Sequence, residues 1–153
     1  MKLSLDSEHK ALVINNALGL AALIVVGIFF SPMLVADVVQ DPSMLALIFA
    51  GITYFVFGLL FRESKRPWIL SSASLVLVLV CTATLAAFGR MDFFLVYLVS
   101  FANYSFSAPV QAMLERPEGG LMGDIGFCVG FFAPLVFLYA GSATKKRMKN
   151  WAK

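Results

Sequence analysis

Polar side chains within apolar runs are the residues of this chain whose types could do chemistry. Asn15 and Asn16 enter the first apolar run, and Asn103, Ser107 and Gln111 interrupt a later one. If these runs cross a membrane, an amide at that depth can bond across helices, bind a ligand or face the interfacial region, and interhelical bonding is its commonest use. The later group could line a pore or vestibule, because non-helical backbone at that depth needs protein or water around it. A kinked or surface-lying helix with ordinary polar contacts is the alternative.

Several kinds of site lack the residues that they need. The single histidine, His9, lies near the amino terminus and outside the apolar runs, so neither a metal site nor a histidine-assisted serine nucleophile has its imidazole. No Asp, Glu, Lys or Arg stands at the middle of an apolar run, which disfavours proton-coupled transport. Cys81 and Cys128 lack CxxC spacing and are expected to be small core residues. We therefore expect no catalytic residue, cofactor or metal, and predict a protein that is not an enzyme.

Long uncharged runs must position these side chains. Hydrophobic residues make up 60% of the 153 residues and charged residues 14%, which leaves no room for a soluble domain beside the runs. Each run is long enough to cross a hydrocarbon core of roughly 30 Å as a helix, whereas a lone strand in lipid would leave its backbone unpaired. The sequence predicts one transmembrane domain, 1–153, of all-α class. The predicted spans are residues 11–30, 43–61, 68–89 and 122–141.

Prolines and the length of the first run bear on where the helices end. The apolar run at 11–30 exceeds the ~7–15 residues of a signal peptide, so we expect this helix to be retained. Pro32 should bend or end it, because proline lacks a backbone donor. Pro67 should open the third span, since proline is well accepted at the first position of a helix.

The distribution of basic residues decides how segment 93–113 is placed. Positive residues favour the cytoplasmic side, and the hairpin that carries Arg62, Lys65 and Arg66 sets the orientation. If all five segments cross, six basic residues fall on each side; if 93–113 does not cross, ten fall inside and two outside. We therefore predict a compact bundle of four transmembrane helices, with both termini cytoplasmic and 93–113 re-entrant or interfacial. Re-entry of 122–141 gives a similar bias, and five spans is the other alternative.

Two rows of small residues predict close helix packing. The rows are Ala46, Ala50 and Gly58 in the second span, and Gly123, Gly126 and Gly130 in the last. Such residues let helix backbones approach each other, within one chain or between chains. A bundle of this size has more of this surface than one chain needs, so we predict a homo-oligomer.

Basic residues gather at two places outside the predicted spans, the central hairpin and the tail. With one tryptophan they make up the predicted docking residues, which are Arg62, Lys65, Arg66, Lys145, Lys146, Arg147, Lys149 and Trp151. These residues could grip anionic membrane lipids or an acidic cytosolic protein, and direct contact with nucleic acid is not expected. The alternative is a stop-transfer signal that needs no partner.

In layout, the chain resembles the small four-span membrane subunit of the two-component Kiwa antiphage defence systems. The resemblance covers the whole chain and consists of a compact bundle, no extramembrane domain and basic cytoplasmic ends. It implies an oligomeric membrane sensor paired with a cytosolic nucleic-acid-binding effector, and it carries no residue role across. We therefore predict a non-enzymatic anchor or sensor in a bacterial inner membrane that couples to a cytosolic partner. A small pore or facilitator and an immunity protein against a membrane-active toxin are the alternatives.

Overall fold

The chain is helical in the part that the computed structural model describes, which comprises residues 2–35, 43–87, 99, 106 and 121–151. Side chains are described for residues 7–29, 47–84, 99, 106, 130 and 132–151. The helices are α1 (Lys2–Val35), α2 (Ser43–Leu60), α3 (Trp68–Ser71), α4 (Ala73–Ala87) and α5 (Leu121–Trp151). No strand occurs among the described residues, so the all-α class is confirmed for them.

One segment of the described chain, Ser7–Phe29 in α1, is long and apolar enough to cross a membrane. Leu47–Leu60 and Ala73–Thr84 are shorter apolar helices. α1 has 34 residues and α5 has 31, so at a rise of 1.5 Å per residue they extend over about 51 and about 46 Å. Both exceed a hydrocarbon core of roughly 30 Å, which leaves room for polar turns beyond the apolar part.

Helices α1 and α2 run antiparallel. Phe29 stacks on Phe49 with ring centroids 4.7 Å apart at one end of the pair. At the other end the Asn15 side chain is hydrogen-bonded to the backbone of Arg62. The chain therefore returns along α1 before it enters the hairpin at residues 61–67.

Helix α4 packs mainly on α1, and α5 packs mainly on α2. α4 runs parallel to α1, since Asn16 bonds Ser74 and Gly19, further along α1, faces Leu75. By the same reasoning α5 runs parallel to α2, because Phe137 faces Gly51 and Lys145 reaches Phe61. The ends of α2 and α5 thus lie together, beside the first turns of α1.

Glycines allow α2 and α5 to form the most extensive helix contact of the described chain. A Cβ atom added at Gly58 would overlap the carbonyl of Leu138, and one added at Gly141 would overlap the carbonyl of Phe55. Close backbone approach of this kind requires residues without a side chain. Ala50, in the same row as Gly58, is fully buried. This part of the predicted small-residue row is therefore in contact within the chain.

The core lies among α1, α2, α4 and α5, and it includes two residues of segment 93–113, Val99 and Phe106. The Phe106 ring lies between two others, with its centroid 6.0 Å from that of Tyr54 and 5.7 Å from that of Phe137. In the described part of the chain the buried Tyr54 hydroxyl has no hydrogen-bond partner, so Tyr54 stabilises the core through its ring.

Three details differ from what the sequence predicts. α1 continues through Pro32 to Val35, so Pro32 does not end the helix, because a proline removes only a single backbone donor; a bend at Pro32 stays a prediction. The predicted third span is interrupted at Ser72, between α3 and α4. Cys81 is exposed on α4 and not in the core, because among the described helices α4 packs mainly on α1 alone.

Candidate functional site

The hairpin at residues 61–67, between α2 and α3, carries most of the charge in the middle of the chain. The last carbonyl groups of a helix have no partner within it, so the end of α2 needs donors from elsewhere. The hairpin receives polar contacts from α1 on one side and from α5 on the other.

Asn15 on α1 holds the hairpin through both groups of its side-chain amide. Its Nδ2 donates to the carbonyl oxygen of Arg62 at 2.9 Å, and the backbone N–H of Arg62 donates to its Oδ1 at 2.7 Å. This amide therefore pairs with Arg62 much as a neighbouring strand would. Asn15 is 1% exposed, so the paired bonds also satisfy polar atoms that are away from water.

Glu8 supports the next part of the hairpin from the same face of α1, two turns before Asn15. The Ser64 hydroxyl donates to the Glu8 carboxylate at 2.8 Å, and the backbone N–H of Lys65 donates to it at 3.2 Å. The N–H of Arg66 in turn donates to Ser64 Oγ at 3.1 Å. One carboxylate thus fixes three successive hairpin residues.

Two lysines of α5 approach the hairpin from the opposite side. Lys145 Nζ donates to the Phe61 carbonyl oxygen at 2.7 Å, at the end of α2 where the helix dipole favours positive charge. Lys149 Nζ lies 2.8 Å from a Glu63 carboxylate oxygen. Both members of this ion pair are more than half exposed, so it contributes about 0–1 kcal/mol. The Lys145 bond is the stronger of the two links.

Asn16 bridges the interruption between α3 and α4. Its Nδ2 donates to the Leu70 carbonyl at 3.0 Å and to the Leu12 carbonyl at 2.9 Å, and its Oδ1 accepts from the Ser74 N–H at 2.8 Å. In an unbroken helix the N–H of residue 74 would donate to the carbonyl of residue 70. The amide takes the place of that bond, and Ser74 Oγ adds a bond of 3.0 Å to the Asn16 carbonyl.

An open cleft of about 740 Å³ lies between the hairpin and the end of α5. Its charged lining consists of Arg62, Lys65, Arg66, Lys145, Lys146, Lys149, Glu8 and Glu63. Trp68 and Tyr139 also line it, and their rings meet edge to face with centroids 5.4 Å apart. The cleft thus combines an excess of positive charge with an aromatic pair.

The end of α5 carries a second face outside this cleft. Thr144, Arg147, Met148 and Trp151 line a shallow depression of about 490 Å³, at a spacing that places them on one side of the helix. Met148 is 55% exposed and Trp151 is 91% exposed. The tail therefore presents two different surfaces.

The structure divides the predicted docking residues between these two surfaces. Those in the cleft are Arg62, Lys65, Arg66, Lys145, Lys146 and Lys149, and those on the second face are Arg147 and Trp151. Lys145 and Lys149 are engaged in contacts within the chain. In the described part of the chain, the side chains of Arg62, Lys65, Arg66, Lys146 and Arg147 make no hydrogen bond or ion pair.

The other predicted site residues have varied positions. Asn15 bonds α1 to the hairpin and Asn16 bonds α1 to α3 and α4, each through backbone groups, so neither amide is unpaired. Gly130 is buried. Three further small residues lie in helical backbone, but their surroundings are outside the described part; they are Ala46, Gly123 and Gly126. The predicted pore residues Asn103, Ser107 and Gln111 also lie outside the described residues.

Glu8, Ser64 and Gly141 are site residues that sequence reasoning missed. Glu8 precedes Asn15 by seven residues, so helical periodicity alone places both on one face of α1. Gly141 follows Gly130, the last member of the predicted row, by eleven residues or about three turns, and so continues that row. Ser64 had no comparable signal, because hairpin geometry fixes its position.

No protein-family model, no curated protein and no solved structure matches this chain. Among the described residues no group of three or more His, Cys, Asp or Glu side chains could hold a metal ion.

Proposed function

We propose that this chain is a multi-pass inner-membrane protein, without enzymatic activity, that anchors or signals to a cytosolic partner. Among the described side chains, apolar ones cover the outside of the helices and charged ones gather at one end, and this distribution carries the proposal. On α2, Ile48, Ile52, Val56 and Leu60 form an exposed stripe with a spacing of four. In water each such side chain forgoes about 1.5–3 kcal/mol of burial, whereas lipid covers it at no such cost.

The same distribution recurs on the other helices. Their exposed large apolar residues include Val13, Ile24, Val25, Ile28, Phe29, Ile69, Leu70, Leu77, Val80, Phe132, Val136 and Tyr139. The runs 11–29, 67–84 and 125–144 contain no charged residue. Among the described side chains, an apolar exterior and charges at one end match the requirements of a bilayer and its headgroup layer.

Contacts at the charged end support placing both termini on the cytoplasmic side. Glu8 near the start of α1 and Lys149 near the end of α5 both contact the hairpin. Since a basic hairpin favours the cytoplasm, the start of α1 and the end of α5 follow it there. Four passages, made by α1, α2, α3 with α4, and α5, give that arrangement. The core position of Phe106 supports a re-entrant form for 93–113 over an interfacial one.

Reporter fusions test this orientation. A reporter active only in the cytoplasm, fused after Lys153, should be active, and the periplasmic reporter at the same point should be silent. A cysteine at exposed Lys65, in a variant without the native cysteines, should react with an impermeant reagent in inverted vesicles but not in intact cells. The opposite pattern at both sites would overturn the proposed orientation, and opposite sides for Lys65 and Lys153 would overturn the four-passage arrangement.

The second face of the α5 tail is the proposed docking surface for the partner. It combines Arg147, Met148 and Trp151, and these residue types are enriched at protein interfaces. The positive charge favours an acidic partner and steers it towards the membrane, less effectively at high salt. The Kiwa-like layout would make that partner an effector of antiphage defence.

Site-specific photocrosslinking tests the docking surface. A photoreactive residue at Met148 should give an adduct with an acidic cytosolic protein, and one at Val136, which is exposed on the apolar part of α5, should give none. The double variant Arg147→Gln, Trp151→Ala should lose the adduct while it keeps membrane insertion. Equal adducts at both positions, or an adduct that survives the double variant, would contradict docking at this face.

The last part of the proposal is that the protein forms a homo-oligomer, which stays a prediction. Ala50, Gly58 and Gly130 are buried within the chain, so copies would have to meet through surfaces other than these three residues. The outer face of α4, with exposed Leu77 and Val80, is the clearest of these. Light scattering in mild detergent gives the mass of the protein part, and a monomer at all concentrations would remove self-association from the proposal.

A further inference from the structure

The cleft between the hairpin and α5 has more positive charge than the chain itself neutralises. Its two acidic side chains are both engaged, Glu8 with Ser64 and the Lys65 N–H, and Glu63 with Lys149. Lys145, which also lines the cleft, donates to a backbone carbonyl. The other basic side chains of the cleft are therefore not neutralised by these contacts.

Four basic side chains of the cleft have no hydrogen-bond or ion-pair partner in the part of the chain that the structure describes; these are Arg62, Lys65, Arg66 and Lys146. Guanidinium and ammonium groups that converge on one cavity favour a compact anion with several acceptor oxygens, and phosphate is the usual choice. The chemistry of the lining thus points to a phosphate group.

An exposed apolar track leaves the cleft along α5. Tyr139 lines the cleft and is 56% exposed, and Val136 and Phe132, three and seven residues earlier, are each 63% exposed. Residues at this spacing lie on one face of a helix. A ligand that fills both the cleft and the track needs a phosphate at one end and a hydrocarbon chain at the other.

We propose that this cleft is a binding site for an anionic phospholipid. Its phosphate lies among Arg66, Lys146 and their basic neighbours, and an acyl chain lies along Tyr139, Val136 and Phe132. Basic pockets between membrane helices on the cytoplasmic side recognise lipid headgroups in this way. This site rests on the proposed membrane insertion but not on the proposed partner, because the docking face of the tail lies outside the cleft.

Tryptophan fluorescence provides a direct test. The chain has two tryptophans, so Trp151→Phe leaves Trp68, which lines the cleft, as the single reporter. The probe is phosphatidylglycerol with brominated acyl chains, titrated into phosphatidylcholine nanodiscs that hold the full chain. Quenching of Trp68 should saturate at a low fraction of phosphatidylglycerol, and brominated phosphatidylcholine should quench only in proportion to its amount.

Two neighbouring positions supply the matched variants. Lys146→Gln removes one charge from the cleft and should raise the half-saturating lipid fraction about fivefold, and Arg66→Gln with Lys146→Gln should raise it about 30-fold. Arg147→Gln removes the same charge from the second face and should leave the curve unchanged. Native mass spectrometry of the unmodified chain should show retained phosphatidylglycerol, which checks the result without a substitution.

The possible contrary results have distinct meanings. If Lys146→Gln and Arg147→Gln raised the half-saturating lipid fraction equally, the lipid preference would come from the overall positive charge and not from a site in the cleft. Competition by inorganic phosphate at the concentration effective for lipid would make the cleft a phosphate site without lipid selectivity. A chain that enters nanodiscs but shows no lipid preference overturns the lipid site alone, whereas a chain that fails to enter them overturns the proposed function as well.

Discussion

Asn16 makes the hydrogen bonds that the chain between α3 and α4 does not make for itself. The sequence predicted that this amide could bond between helices, but it could not reveal the partner, because the interruption at Ser72 has no proline or glycine to mark it. The Leu70 carbonyl and the Ser74 N–H depend on the amide. Within lipid, where water is absent, such backbone groups must find partners in the protein.

Replacement of Asn16 by leucine should therefore destabilise the bundle. We expect Asn16→Leu to lower the free energy of unfolding by about 2 kcal/mol, since two backbone groups lose their partner. Titration with a denaturing detergent in mixed micelles measures the change. The same replacement at exposed Asn150 should cost less than about 0.5 kcal/mol, and equal costs at the two positions would argue against the bridge.

Two lysines one turn apart on α5 offer a second comparison. Lys145→Met removes the donor to the Phe61 carbonyl and should cost about 1.5–3 kcal/mol, the usual value for a hydrogen bond to a charged group. Lys149→Met removes an exposed ion pair and should cost at most about 1 kcal/mol. When the same detergent titration is repeated at high salt, the cost of Lys149→Met should disappear and the cost of Lys145→Met should remain. If Lys149→Met were the costlier change, the assignment of the stronger link to Lys145 would be wrong.

At the scale of helices, the contact between α2 and α5 depends on Gly58 and Gly141. Small residues at helical spacing predicted close packing from the sequence, and Ala50 and Gly58 do lie on a packed face. Spacing alone could not tell whether that face meets another helix of the same chain or of a second copy, since the physical requirement is the same. The choice depends on which helix reaches Gly58, and here it is α5.

Gly19 of α1 and Gly58 of α2, which both face neighbouring helices, should respond oppositely to alanine. Gly58→Ala places a methyl group into the Leu138 carbonyl and should cost about 2 kcal/mol or more. Gly19→Ala places its Cβ 3.6 Å from Leu75 Cβ, an ordinary contact, and should be neutral or stabilising by up to about 1 kcal/mol. Unfolding in mixed micelles gives both values, and a tolerated Gly58→Ala would mean that α2 and α5 lie further apart.

At the scale of the molecule, three distant stretches of sequence meet at the charged end. Counting basic residues predicts that the hairpin and both termini share one side of a membrane, because the positive-inside bias acts on each stretch separately. The count cannot predict that Glu8 bonds Ser64 or that Lys145 reaches Phe61, since these contacts depend on how the helices pack. The cleft also depends on how the helices pack, so the sequence alone could not predict it.

A divided chain tests how far the α2–α5 contact holds the molecule together. Residues 1–120 and 121–153, produced as separate polypeptides in one cell, should insert and copurify, because helices that are each stable in lipid can associate afterwards. Gly58→Ala in the first fragment should abolish copurification, and Gly19→Ala should not. Copurification that is indifferent to Gly58→Ala would place the attachment of α5 elsewhere.

The position of α5 beside α2 also imposes an order on biosynthesis. The ribosome releases α2 before it makes α5, so Gly58 and the Phe61 carbonyl lack their α5 partners until Leu138 and Lys145 have been added. During that interval the nascent chain has an uncovered Gly58 and a Phe61 carbonyl without its donor, whereas the finished chain has neither. The addition of α5 is therefore the step of synthesis that covers Gly58 and gives the Phe61 carbonyl its donor.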